Sequence, residues 1–227
     1  MSDLHFAEVN GVRLAYQVSG DADAPPLLLL HGRGADHSGW KGVIDRLAGS
    51  WRVYAPDLRG HGRSDWPGAY DLELMRDDMV ALLGHAGVAR TAIVAHSLGG
   101  FVGFLIAEEH PGLVDRLVLE DVPAPHPAGV SLPDRPESPL SFDWAMVEQT
   151  THQRNHPDPA WLDRLADITA PTLVIAGGAT SHLPQDQVAD LASRIPGCRI
   201  VTIEGGHDIH TTRPDEFLDA VTTFLRR

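Results

Sequence analysis

The sequence predicts an α/β fold: a mostly parallel, doubly wound sheet of about eight strands with helices on both faces. Short apolar runs alternate with helix-spaced segments along most of the 227 residues, the order that builds a parallel sheet through helical crossovers. Runs such as residues 27–30 carry no polar alternation, as strands covered on both faces require. Near the start, Asn10-Gly11 stands between two alternating segments and marks a type I′ hairpin at the sheet edge.

The elements follow in chain order. Residues 4–9 and 12–18 form the hairpin, and Pro25-Pro26 leads into the strand at 27–30, which ends at His31-Gly32. Trp40, Val43, Ile44 and Leu47 have helical spacing. Residues 52–55 form a short strand, followed by a loop dense in glycine and charge from Pro56 to Ser64. Residues 72–86 are helical, with Leu74, Met75, Met79, Leu82 and Leu83 on the apolar side. A strand at 92–95 runs through His96-Ser97 into a helix ending near His110. Residues 117–119, 172–176 and 199–203 are further strands, and residues 185–194 and 214–225 are helices, the last with Pro214 in its first turn. The interval at about 122–160 departs from this rhythm. It is rich in proline, with one helical patch at about 142–154, and reads as a short lid insertion over the carboxyl edge of the sheet, where ligands bind in this architecture.

Length and composition suit one domain over residues 1–227, with 43% apolar and 22% charged residues. A net charge of −13 argues against nucleic acid or an anionic membrane as partner, since both call for basic surface. Cys198 is the only cysteine, so no internal disulfide is possible. The N-terminal stretch lacks a basic-then-apolar leader pattern, and no apolar run approaches membrane-spanning length, so a cytoplasmic address is expected. No phosphate loop, dinucleotide fingerprint or metal-ligand spacing is present; neither cofactor nor metal is expected, and the partner is a small-molecule substrate. Oligomeric state is open.

The chemistry centres on Ser97. A strand turning into a helix within a few residues needs small neighbours so that both can approach, and Ala95 and Gly99 supply them. Such a bend pushes the hydroxyl out over the helix N-terminus, where backbone N–H groups point. A serine so placed is a candidate nucleophile, although the same pattern also serves as a plain helix N-cap.

Four motifs in order then resemble the α/β-hydrolase family over nearly the whole chain. They are His31-Gly32 after the third strand, Asp57-x-Arg59-Gly60-x-Gly62-x-Ser64 after the fourth, Ala95-His96-Ser97-Leu98-Gly99-Gly100 at the elbow, and Gly205-Gly206-His207 after the last strand. Alanine stands where the elbow's first glycine is usual. The resemblance implies Ser97 as nucleophile, His207 as its base, and an oxyanion hole formed by the backbone N–H groups of Leu98 and Arg33. It implies a structural hydrogen-bonding role for His31, and a structural network of Asp57, Arg59 and Arg63. The Arg33 side chain is expected in solvent, with an anionic substrate as its alternative contact.

The acid is where the chain departs from the commonest family pattern. The loop after the seventh strand has Thr180 or Ser181 at the usual position and no carboxylate before Asp186. Some members place the acid after the sixth strand, where this chain has Glu120-Asp121. Only one of two neighbours can face the site, and register against the family favours Asp121, with Glu120, Asp186 or a site without a strong acid as alternatives. Trp40, Phe101, Phe142, Trp144 and His210 are candidates for the substrate pocket, and each aromatic has ordinary core packing as its alternative. The expected reaction is hydrolysis of a small ester, thioester or lactone through an acyl-enzyme. A lyase, cyclase or cofactor-free perhydrolase of the same fold, or a binding protein with a retained triad, are the rival readings.

Overall fold

Asn10 and Gly11 both take positive φ, 49° and 76°, so the chain reverses in two residues and pairs Val9 with Val12. Strands β1 (Asp3–Val9) and β2 (Val12–Ser19) are thereby joined at one edge of an eight-stranded sheet. The computed structural model describes residues 3–226. Met1, Ser2 and Arg227 lie outside the described residues, and with them the first two positions of the stretch read for a leader.

The remaining strands are β3 (Pro26–Leu30), β4 (Arg52–Pro56), β5 (Thr91–His96), β6 (Val114–Glu120), β7 (Thr172–Ala176) and β8 (Arg199–Thr202). The sheet order is β1-β2-β4-β3-β5-β6-β7-β8. The pairs involving β2 are antiparallel and all others parallel. The helices are α1 (Lys41–Leu47), α2 (Leu72–His85), α3 (Leu98–Glu109), α4 (Trp144–Asn155), α5 (Pro159–Arg164), α6 (Gln185–Arg194), α7 (Ile209–Thr212) and α8 (Pro214–Leu225).

Strand alternation divides the core in two. Leu28, Leu30, Ile93, Ala95, Leu117 and Leu119 pack with α2, α3 and α6. Their neighbours Leu27, Leu29, Ala92, Val94 and Val118 pack on the other face with Trp40, α1 and α8. Each buried leucine or valine contributes roughly 1.5–3 kcal/mol. Burial on both faces explains why these strands read as unbroken apolar runs.

The interval 122–160 has no regular structure before Asp143, apart from a bridge between Phe142 and His61. Its prolines lack the N–H that a ladder or helix needs. Helix α4 then begins, with the Asp143 carboxylate accepting from Ala145 N–H. It buries Trp144, Met146 and Val147 in the core that contains α3. Helix α5 was not anticipated, although Asp158-Pro159 is a cap-plus-proline start signal. Helix α7 is one turn long and too short for periodicity to reveal. No helix among the described residues is long and apolar enough to cross a membrane.

Candidate active site

All the groups at the site come from the carboxyl ends of β3, β5, β6 and β7, the loop between β8 and α7, and the lid. Strand β5 ends at His96, and α3 begins at Leu98, so Ser97 alone makes the turn. It does so at φ 51° and ψ −114°, a strained conformation for a residue with a Cβ. The close approach behind it depends on Gly99: a Cβ there would lie 2.6 Å from the carbonyl oxygens of Leu30 and His31. Gly32 is equally constrained, since its Cβ would fall 2.6 Å from the His96 ring and 3.2 Å from Ser97 Cβ. The loop after β3 can therefore lie directly against the serine.

Ser97 Oγ stands 2.9 Å from His207 Nε2, and His207 Nδ1 stands 2.7 Å from Asp121 Oδ2. Asp121 follows β6 and takes φ 47°, a region that aspartate tolerates better than most residues. Its N–H donates to the Ile175 carbonyl at 2.8 Å, which locks the turn. The fully buried carboxylate also accepts from Gly177 N–H and Gln185 Nε2, each at 3.0 Å, and from Ser181 Oγ at 2.5 Å. Burial alone would raise its pKa, but the hydrogen bonds from His207, Ser181, Gln185 and Gly177 outweigh that and hold it below the ordinary range. Ser181, near the family's commoner acid position, thus serves as a donor to the Asp121 carboxylate.

Glu120 points elsewhere. Its buried carboxylate accepts from His210 through both the backbone N–H, at 2.8 Å, and ring Nδ1, at 2.9 Å. Burial pushes the Glu120 carboxyl up, and the His210 charge with the His210 hydrogen bonds brings it below its ordinary value. For His210, burial lowers the imidazole pKa, and Glu120 reverses this into a net rise. The raised imidazole contributes stability that is complete below its unfolded pKa and fades as pH climbs through the folded one. The lowered carboxyl contributes stability above its unfolded pKa that is lost as pH falls through the folded one. The pair therefore stabilises most between the two. Glu120→Gln is expected to cost roughly 2 kcal/mol near pH 6 and less at pH 9, read by urea unfolding at both values.

The N–H groups of Leu98 and Arg33 have no backbone partner among the described residues, and both residues border the pocket that contains Ser97. That pocket encloses about 250 Å³. Its wall is more polar than expected and includes His96, Arg154, His182 and Asp208. His96 Nε2 lies 3.0 Å from the His207 carbonyl and ties the two loops together. Burial lowers its pKa to about 4, so it is neutral and donates. The His182 ring meets that of His207 edge-on at 4.4 Å. Arg154 remains a cation even though burial, and then the Arg33 charge, lower its pKa to about 10.

None of the five expected pocket residues borders this cavity, and that expectation is corrected. Trp40 is buried against His210 and Phe217, with ring centroids 4.4 and 6.3 Å away, on the opposite core face. His210 is held by Glu120. Trp144 belongs to the core under the lid. Phe101 turns into that core against Phe104, and Phe142 packs on His61 and Gly34. For Trp40, Phe101 and Trp144, apolar area is better buried in the core than left facing a wet, charged pocket. Arg154, His96 and His182 were missed because nothing in helical or strand period shows which lid and loop side chains converge.

His31 takes the structural role expected of it. Leu58 N–H donates to its Nε2 at 3.0 Å, and its Nδ1 reaches the Gly32 carbonyl at 2.8 Å. Asp57 binds the N–H groups of His37 and Arg63, at 2.8 and 2.9 Å, whereas Arg59 pairs with buried Asp78 instead. The ligand atoms of Asp36, His37 and Asp57 come within 4.8 Å of one another, a grouping that sequence spacing did not reveal. They are taken up by hydrogen bonds, His37 Nδ1 to Asp57 at 2.7 Å and Ser38 N–H to Asp36 at 2.8 Å.

Comparison with known proteins agrees with this architecture. The family profile described as alpha/beta hydrolase fold matches residues 25–146. An uncharacterized protein of Mycobacterium tuberculosis is 44% identical over 117 residues, which are 51% of this chain and 34% of that protein. The chain's match thus spans about a third of that relative's length. The magnesium-chelatase 30 kDa subunit of Rhodobacter capsulatus is 30% identical over 254 aligned residues, covering 91% of this chain and 89% of that one. Among solved structures, an N-acyl homoserine lactone degrading enzyme superposes with a TM-score of 0.85 at 26% identity, over 97% of this chain and all of the other. The enol-lactonase from Burkholderia xenovorans shares the fold, with a TM-score of 0.83 at 24% identity over 98% of this chain and 100% of that one. With the profile spanning more than half its length and the eight-stranded sheet order to match, this chain belongs to the α/β-hydrolase fold family.

Proposed function

We propose that the protein is a serine hydrolase that cleaves a small carboxylic ester, thioester or lactone through an acyl-enzyme. The observation that carries this reading is the unbroken hydrogen-bond relay from Ser97 Oγ through His207 to the buried carboxylate of Asp121.

In this mechanism Ser97 Oγ attacks the substrate carbonyl while His207 Nε2 takes its proton. Asp121 holds the ring with Nδ1 protonated and stabilises the imidazolium that forms. The carbonyl oxygen becomes negative and accepts from the N–H groups of Leu98 and Arg33, the first of which lies at the positive end of α3. One such donor is worth roughly 3 kcal/mol of barrier. The imidazolium then protonates the leaving oxygen or sulfur as the tetrahedral intermediate collapses. Water, deprotonated by the same nitrogen, releases the acid and frees Ser97. A cavity of about 250 Å³ suits small acyl groups. Similarity to a lactone-degrading enzyme at 26% identity supports keeping lactones within the substrate class.

The test is turnover of 4-nitrophenyl acetate and butyrate by the purified protein, followed as nitrophenolate release. Saturable hydrolysis above the buffer rate is expected. Absence of any turnover on these and on simple lactones would remove the hydrolase reading.

A further inference from the structure

The pocket beside Ser97 gathers two guanidinium groups that no carboxylate among the described residues answers. Arg33 enters it from the loop after β3, and Arg154 from the last turn of α4 in the lid. The one side-chain hydrogen bond of Arg33 among the described residues runs from Nη1 to Thr151 Oγ1, at 3.1 Å. Arg154 makes none: its Nε is buried without a partner, and its guanidinium lies 5.3 Å from the centroid of the Phe101 ring. Phe101 sits one turn after Ser97 on α3, its N–H 3.3 Å from the Ser97 carbonyl oxygen. Both arginines thus line the same pocket as the nucleophile.

These cations converge in a chain whose net charge is −13. Arg33 is exposed and Arg154 half-buried, and holding two guanidinium groups side by side is costly unless an anion joins them. The carboxyl group on the wall, Asp208, faces His96 Nε2 at 3.7 Å and is mostly exposed, so it does not join the pair. A guanidinium fork matches a carboxylate better than any neutral group.

We propose that the pocket takes an anionic substrate, an ester, thioester or lactone with a free carboxylate a few bonds from the reacting carbonyl, held between Arg33 and Arg154. This rests on Ser97 being the nucleophile as read above. The carboxylate would satisfy Arg154 Nε and relieve the repulsion between lid and core cations. It would also draw α4 toward the loop that carries the second oxyanion donor. The small cavity limits the spacer to a few methylenes.

Calorimetric titration of the Ser97→Ala protein separates binding from turnover. Monomethyl succinate, glutarate and adipate are each compared with methyl butanoate, pentanoate and hexanoate, their uncharged counterparts of equal chain length. At least one monoester is expected to bind roughly tenfold or more tightly than its neutral partner. That preference is expected to collapse toward unity in Arg154→Gln and, on the independent core loop, in Arg33→Gln. No preference in any pair, or a preference that both substitutions leave intact, would overturn the proposal. Hydrolysis of the same esters by the unaltered protein is scored separately. Anion-selective binding without turnover overturns only the hydrolase reading, and turnover without anion preference overturns only the substrate class.

Discussion

Ser97→Ala is expected to lower turnover of 4-nitrophenyl butyrate by roughly ten-thousand- to a million-fold while the protein stays folded. The size follows from the relay acting as a unit. Without Oγ, His207 has no hydroxyl to deprotonate, and no acyl-enzyme forms. The fold survives because the Ser97 hydroxyl makes one hydrogen bond among the described residues, to His207, and no part of the sheet depends on it. Alanine at φ 51° inherits the same backbone strain that serine bears, so the elbow itself is little changed. Steady-state rates beside a thermal melt check both halves. Activity that persists in a folded Ser97→Ala protein means that another group is the nucleophile.

Asp121→Asn is the second large effect, a loss of about a thousand- to ten-thousand-fold in kcat. The carboxylate accepts from four donors at once: His207 Nδ1, Ser181 Oγ, Gln185 Nε2 and Gly177 N–H. An amide cannot accept at both of its ends. If its NH₂ faces His207, the imidazole is driven to the tautomer that presents Nε2–H to the serine, and the base is lost. If it faces Gly177 and Gln185 instead, two buried donors meet a third. Ser181, near the place where relatives more often carry the acid, cannot supply the missing charge. Glu120 cannot either, because His210 engages it on the other side of β6. Parallel kinetics on Glu120→Gln make the comparison: that variant is expected to lose stability far more than rate. Near wild-type kcat in Asp121→Asn would remove Asp121 from the relay.

Most of the scaffold was legible because its signals are local. Asn10-Gly11 demands positive φ at both positions and so dictates the first hairpin. The doubly buried strands declare themselves as apolar runs, and the crossover helices as spaced ones. The elbow is readable because a strand-to-helix turn around one serine tolerates so few neighbours, Gly99 above all. The choice between Glu120 and Asp121 was harder, yet strand alternation reduces it to a question of register, and β6 ends at Glu120 with Asp121 in the turn.

What stayed hidden is what tertiary packing decides. An aromatic residue looks the same in sequence whether it lines a pocket or fills a core, and Trp40, Phe101 and Trp144 all do the latter, while Phe142 stays half-buried against it. Arg154 sits at the end of a helical patch with weak amphipathic character. Its approach to Arg33 depends on how some twenty irregular residues carry the lid back over β5, and no local period encodes that path.

The most direct measurement of the central claim is covalent labelling by a fluorophosphonate, located by peptide mass spectrometry in the wild-type protein and in His207→Ala. The account predicts one equivalent of label on Ser97 in the wild type, and a labelling rate lowered by several orders of magnitude in His207→Ala. Label on a different residue, or equally fast labelling of Ser97 without His207, would contradict it.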